Sequence, residues 1–420
     1  MMNDDVERTM LVFDSAYTYE MMIERKVDIL ATGRELSGYF SHIWSVHPVA
    51  SLFKAKNLLE RYGKPDLYML SKRQSLIEGK IGRYYHLRFF AVLNFLISQL
   101  SLVFYLIKLF GKNKISIVRA EDPYYNGILA FIFAKLFRLP LMIGVWGNPA
   151  NIRQQTKKPL MPRLFRWIWV EEIIERFILR MADLVLVQNE DNRSFVLQKG
   201  VPFHKTWIFR ISNVLHESHW TPPIDRSDGT KDLLEFNINA NNKILCISRL
   251  EKLKHIDHVI LVVKHLKDMG RNVVALLVGD GSYQKDLQLL TNQLGLSNQI
   301  IFCGNRDQEW ISRVVPKVDL VLSPLTGRAL GEAALGGVPV VAYDVDWHSE
   351  IVKTGVTGIL VPYLDYRKMG DAVEILLSNP ELSDKFGKNM RNFALKLLNP
   401  DDANQTQIEA YERFLKSNQK

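Results

Sequence analysis

From residue 243 onward the chain repeats one unit, a short apolar run followed by a turn and a stretch of helical periodicity. The runs fall at residues 244–247, 274–278, 300–302, 320–322 and 338–342. Runs this short, alternating with helices, predict parallel strands covered on both faces. The first half shows the same habit less regularly, with strands expected at residues 10–13, 67–70, 115–118, 141–145 and 184–187. A chain of 420 residues is longer than one core usually serves, so the pattern predicts an α/β protein of two doubly wound domains. The turn-rich stretch 221–242, with Pro222-Pro223 and Asp228-Gly229, is expected to hold a linker or an irregular entry to the second domain.

Two segments break the alternation. Residues 89–107 carry no charge over 19 positions, long enough to raise a membrane-spanning helix. Asn94, Ser98, Ser101, Tyr105, Lys108 and Lys112 recur at steps of four and three, however, and mark one polar stripe of an α-helix. The expectation is an amphipathic helix, packed on a core or interface ahead of half-inserted in a membrane face, with spanning last. Residues 157–169 interleave Lys157, Lys158, Arg163 and Arg166 with Phe165, Trp167 and Trp169. Indole rings among basic heads suit a headgroup boundary, and an ordinary helix with core aromatics and a solvated basic face fits the same letters.

Charge tips that balance. The formal net charge is +9, but residues 51–200 hold 24 Lys and Arg against 11 Asp and Glu, so the basic surface belongs to the first half. No RNA-binding aromatic signature, zinc knuckle or helix-turn-helix accompanies it. The expected partner is therefore an anionic membrane surface, bound peripherally, and not nucleic acid. The two cysteines, Cys246 and Cys303, sit in expected buried strands without metal-ligand spacing, which favours a reducing compartment and no zinc. Residues 1–5 lack the basic and apolar regions of a signal peptide, so the chain is expected in the cytoplasm.

Candidate chemistry clusters where strands end. Ligands of doubly wound sheets bind outside the carboxyl ends of the strands, and Arg249 follows such an end with Lys254 five residues on. A guanidinium offers paired planar donors to a diphosphate, and an ammonium offers a point charge. Gly279-Asp280-Gly281 follows the next strand. After the fourth strand, Thr326 is expected to cap a helix, leaving backbone N–H groups near Gly327 and Arg328 to favour phosphate at the same mouth. Glu332 lies about one turn in, where its carboxylate can accept hydrogen bonds from a ribose diol. His348 and Glu350 lie in the loop after the fifth strand, as candidates either to contact the hydroxyls of a ligand or only to fix the loop. Asp344-Val345-Asp346 invites a reading as a metal clamp, which the cationic pair makes unnecessary.

These residues, in this order, resemble the nucleotide-sugar domain of the glycosyltransferase family 4 group. The family's Arg-x4-Lys diphosphate pair falls on Arg249 and Lys254, its Gly-Asp-Gly turn on residues 279–281, and its ribose-binding glutamate on Glu332, followed by the small-residue run to Val341. The match extends from about residue 243 to 362, and is looser in the first half, at residues 182–188 and along 208–213 toward the hinge. The resemblance implies the GT-B fold: two Rossmann-like domains facing across a cleft, with a C-terminal helix returning to the first. The expected domains are residues 1–218 for a membrane-facing acceptor domain, 219–395 for the nucleotide-sugar domain, and 396–420 for the terminal helix. Implied, too, is a metal-independent, hexosyltransferase-type enzyme that uses a nucleoside diphosphate sugar as co-substrate and no cofactor, with retention at the donor carbon. Its acceptor would be a lipid-linked molecule or a glycan, in surface polysaccharide or glycolipid assembly at the inner face of the cell membrane.

Three positions depart from the family pattern. A second glutamate, eight residues before Glu332, is replaced by Pro324. A histidine before glycine in the first domain has Trp146-Gly147 as its counterpart, followed by Asn148, and these three are the expected residues over the donor carbon. The glycine-rich loop after the first strand is replaced by Asp14-Ser15-Ala16-Tyr17-Thr18. A degenerate protein that binds a nucleotide sugar or partner enzyme without transfer therefore stays open, as does a sugar-nucleotide epimerase.

Overall fold

Parallel sheets organise each of two units in the computed structural model, one comprising Met1–Arg210 with Asn404–Lys420 and the other Ile211–Ala403. The structure describes residues 8–25, 33–53, 58–111, 115–209, 215–225, 227–238 and 240–417. Lys112, residues 1–5 and the 210–213 part of the expected hinge lie outside them. The boundaries differ from those expected at 218/219 and 395/396, for a packing reason. Leu215 and Leu398, one on the far side of each expected boundary, both belong to the core of the second unit. Stretch 221–242 is likewise an entry and not a linker: its helix Thr230–Leu234 buries Leu233, and Asp232 pairs with Arg313 at 2.8 Å.

The first unit carries eight strands: β1 (Thr9–Phe13), β2 (His42–His47), β3 (Asp66–Ser71), β4 (Gln74–Glu78), β5 (Ile117–Ala120), β6 (Leu141–Val145), β7 (Leu184–Val187) and β8 (Thr206–Ile208). Their order is β3-β4-β2-β1-β5-β6-β7-β8, parallel throughout except for the β3–β4 hairpin. Three of these strands, β2, β4 and β8, were not expected from the pattern. The strand expected at 115–118 lies two residues later, which brings Arg119 into it. From the C-terminal helix Pro400–Ser417, Ala410, Tyr411 and Phe414 join a core cluster of this unit with Met10 and Val12, so the terminal helix does return to it.

The second unit has six parallel strands: β9 (Asn242–Ile247), β10 (Val273–Val278), β11 (Ile300–Gly304), β12 (Leu320–Ser323), β13 (Val340–Tyr343) and β14 (Gly358–Val361). The order β11-β10-β9-β12-β13-β14 reverses between β9 and β12. That is where a doubly wound sheet opens its ligand crevice. Valine, isoleucine and leucine make up most of β9 to β13, and two core clusters draw on these strands.

The uncharged segment forms the helix Ala91–Phe110, facing opposite to an ordinary surface helix. Asn94 and Ser98 of the polar stripe point inward, while Val92, Leu96, Leu100 and Phe104 are exposed. Packing on a core holds only for its C-terminal half, where Leu102, Leu106 and Phe110 are buried. In the other segment Trp167 and Trp169 are exposed and stacked on each other, so these aromatics are not core.

Candidate functional site

Two glycines shape the mouth of the second sheet. A Cβ on Gly279, where φ is +137°, would lie 1.9 Å from the Ser248 carbonyl oxygen, and one on Gly281 would lie 2.3 Å from that of Leu250. The Gly-Asp-Gly turn therefore exists so that the backbone of residues 248–250 can lie against it. Leu250 N–H donates to the Asp280 carbonyl at 2.9 Å, and Tyr283 N–H to that of Leu250 at 2.8 Å. This pins the loop that carries Arg249 out into solvent beside β9.

Lys254 ends the short turn Lys252–Lys254, half-buried. Burial first, and then the charge of Arg249, push its ammonium below the usual pKa, while Asp346 acts the other way. The Lys254 ammonium thus sits in the field of a second cation, an arrangement an anion relieves. His348 is fully buried at the start of the helix His348–Ile351, and burial pushes its pKa to about 4, with the Lys254 charge adding to the effect. Its Nδ1 lies 2.9 Å from the Tyr343 carbonyl, which makes Nδ1 the protonated nitrogen. Nε2 is buried without a hydrogen-bonding partner among the described residues, and so is an acceptor for a hydroxyl donor. Glu350 lies half-buried in the same short helix.

Glu332 is buried in the helix Ala329–Leu335, where burial raises its carboxyl pKa against the opposing pull of Arg328, Gln308 and His216. Arg328 Nε sits 3.4 Å from Glu332 Oε1. Gln308 and His216 were not singled out by sequence, since nothing in their local pattern connects them to Glu332. Thr326 does not cap the helix: its hydroxyl bonds to that of Ser323, and Arg328 takes the N-cap position without a side-chain bond. Gly327 has φ +65° and open space around its Cβ position, and Pro324 is buried. Arg249, Lys254, His348 and Glu332 thus follow the carboxyl ends of β9, β13 and β12, around the reversal of strand order.

In the first unit the corresponding strand ends hold a charged cage that local sequence does not announce. Arg34 pairs with Asp14, just after β1, and approaches Glu121, just after β5, at 3.3 Å. Arg119 Nε lies 3.0 Å from Glu121, and its Nη1 donates to the Tyr411 hydroxyl at 2.7 Å. Trp146 joins this cage, its indole Nε1 donating to Glu121 Oε2 at 2.6 Å. A Cβ on Gly144 would lie 2.6 Å from that nitrogen, so the strand must carry glycine for the ring to fold back. Burial would raise the Asp14 pKa, but the charge and hydrogen bond of Arg34 hold it below the usual range. Among the described residues Asp122 has no such cation, and burial pushes it up to about 7.

Asn148 differs from Trp146. Its Oδ1 accepts from Ala150 N–H at 3.1 Å, capping the helix Pro149–Thr156, and its Nδ2 donates to Asp191 at 3.0 Å. Both ends of the amide serve local structure. Gly147 is half-buried with nothing within 4 Å of a Cβ position.

Among the described residues one group has metal-ligand spacing. His255, Asp257 and His258 bring one ligand atom each within 4.8 Å of one another. His255 Nε2 lies 2.9 Å from the Tyr363 hydroxyl and His258 Nδ1 lies 2.7 Å from that of Tyr343, so each ring has one nitrogen engaged by a tyrosine.

Residues 234–393 match the family model described as glycosyl transferases group 1. The chain is 31% identical to alpha-D-kanosaminyltransferase of Streptomyces kanamyceticus over 62% of its own length and 67% of that protein. Three other curated relatives, among them 2-deoxystreptamine glucosyltransferase of the same organism, align over about half of their own length or less. Among solved structures, HepE of Anabaena in complex with UDP superposes with a TM-score of 0.70 at 20% identity, covering 96% of this chain and 100% of that one. Sucrose-phosphate synthase of Thermosynechococcus elongatus gives 0.72 at 16%, covering 98% and 100%.

Proposed function

The chain belongs to the glycosyl transferases group 1 family of GT-B glycosyltransferases, and from that premise we propose that it moves a hexose from a nucleoside diphosphate sugar to a lipid-linked or glycan acceptor held by the first unit. The observation that carries the donor assignment is the gathering of Arg249, Lys254, His348 and Glu332 around the reversal between β9 and β12. Arg249 and Lys254 take the diphosphate, which lets Lys254 hold its proton despite its burial. Glu332 accepts from the ribose hydroxyls, and the Nε2 of His348 accepts from a sugar hydroxyl. Since negative charge on the departing diphosphate grows as the glycosidic bond breaks, the two cations stabilise the transition state more than the ground state. No metal is needed for that step in this proposal, and retention at the donor carbon follows from the family likeness alone.

The chain would work in the cytoplasm, peripherally attached to the inner face of the membrane, in surface polysaccharide or glycolipid assembly. The basic first half and its exposed aromatic residues support that reading. The buried Pro324, standing where the family has an acidic residue, favours a second one, a degenerate protein that binds a nucleotide sugar without transfer. A panel of radiolabelled nucleoside diphosphate sugars, uridine donors first, with a membrane extract as acceptor source separates the two. Transfer or donor hydrolysis supports the enzyme, and binding of every donor without turnover refutes it. Arg249→Ala and Lys254→Ala should each weaken diphosphate binding by roughly tenfold or more, the loss of one charge-assisted contact. Wild-type affinity in both would sink the donor site.

A further inference from the structure

Helix Ala91–Phe110 carries the wrong face to water. Its inner side is polar: Asn94 Oδ1 accepts from the N–H groups of Arg83 at 2.7 Å and Tyr84 at 3.0 Å, and its Nδ2 donates to the Tyr84 carbonyl at 2.7 Å. Ser98 Oγ donates to the Lys80 carbonyl at 2.7 Å. Its outer side is apolar. Phe89 is 79% exposed, Val92 75% and Phe104 68%, with Leu96 and Leu100 exposed between them at steps of four. Rotating the helix to hide this face would strand the Asn94 and Ser98 contacts and pull Leu102 and Leu106 from the core. The sequence has committed this surface outward.

The face is part of a larger one. The Phe95 ring lies 6.0 Å from Tyr125, at the start of helix Tyr125–Phe137, and Phe131 of that helix meets Phe177 of helix Ile168–Met181 edge-on at 5.3 Å. Leu136, Trp169 and Phe177 are also exposed on these helices. No acidic residue occurs between Glu78 and Glu121, whereas Arg83, Arg88 and Lys108 flank the apolar helix, and on helix Ile168–Met181 the exposed Glu172 is outnumbered by the exposed Arg176 and Arg180. Two copies of so basic a surface would repel each other, and anionic headgroups would complement it. Spanning is unsuitable, since one side of the helix is hydrogen-bonded to its own domain.

We propose that this three-helix surface inserts into the interfacial zone of an anionic bilayer, with Ala91–Phe110 lying in the membrane plane, its apolar face at the acyl boundary and the flanking arginines and lysines among the headgroups. It rests on the membrane-attached reading above and goes beyond it: attachment is by insertion, and charge alone is insufficient. Purified full chain is sedimented with vesicles of phosphatidylcholine alone and of phosphatidylcholine with phosphatidylglycerol, at low and high salt. The expected result is binding to the anionic vesicles that weakens in salt without vanishing, and that falls by about tenfold or more in the double variant Leu96→Gln, Leu100→Gln. Both leucines are exposed, so the variant should keep its melting temperature and its calorimetric affinity for a nucleoside diphosphate. Binding abolished by salt, or unchanged in the double variant, overturns insertion. A dimer in solution that the double variant disperses would assign the face to a second copy and overturn the proposal as well. Vesicle binding without sugar transfer to any lipid acceptor would leave insertion standing and remove the acceptor assignment instead.

Discussion

Replacing Gly279 by alanine tests whether the Gly-Asp-Gly turn is a packing device for the Arg249 loop. The new Cβ would lie 1.9 Å from the Ser248 carbonyl oxygen, backbone that cannot swing aside like a side chain, at a φ of +137°. Backbone strain of this kind costs about 1–3 kcal/mol, and overpacking a further 1–3 kcal/mol or so. Gly295→Ala supplies the control, because its φ is +63° with nothing within 4 Å of the Cβ position, leaving strain of roughly 1–2 kcal/mol and no clash. In a unit of this size each kcal/mol is about 2–4 °C in melting temperature. Calorimetry should therefore show Gly279→Ala melting on the order of 10 °C below wild type, against a few degrees for the control. Relief of the clash requires the 248–250 backbone to move, and Arg249 moves with it. Titration with a nucleoside diphosphate should then show a weakened affinity in Gly279→Ala alone. If the two variants melt together and bind alike, the turn does not position Arg249.

Two further predictions concern the first unit. Arg153 bridges Glu171 at 3.0 Å and Glu175 at 2.7 Å, both carboxylates fully buried, so Arg153→Ala should cost about 3–5 kcal/mol in chemical denaturation. Adding Glu171→Gln and Glu175→Gln should recover much of it, and a loss that persists unchanged would show that packing, not charge, was responsible. Asp122 has an ordinary pKa of 3.8 when unfolded and about 7 when folded, through burial. Its contribution to stability is thus fully present below pH 3.8 and is lost as pH rises through about 7. Asp122→Asn should flatten the fall in melting temperature across that window, and equal slopes in the two proteins would clear this carboxyl.

The strands of the second unit were legible in sequence because burial on both faces demands short apolar runs, and the candidate site residues were sought at the turns that follow them. The first unit mixes the two: β2 ends in the buried His47 and β4 in the buried Glu78, so neither strand shows an apolar run. Arg119 inside β5 hid that strand's true limits for the same reason. Pairings such as Arg34 with Asp14 join residues from different turns of the chain, and one arginine in a sequence looks like any other. Periodicity found the stripe on helix Ala91–Phe110, but a stripe does not say which side the protein lies on. There the polar side turns inward because the turn at residues 80–84 needs hydrogen-bonding partners. Thr326 had the right type for a cap and a nearer partner in Ser323.

The two cysteines lie on β9 and β11, both within the second unit, and burial pushes each thiol up to about 12. At neutral pH neither presents thiolate or surface to a reagent. Their quiet is informative, for these are the chain's only thiols. A thiol-reactive dye accordingly acts as a clock on one half of the molecule: it colours when the sheet of the second unit opens and stays dark when only the first unit loosens. Bound nucleotide should slow that clock, which gives a readout of site occupancy that needs neither acceptor nor turnover.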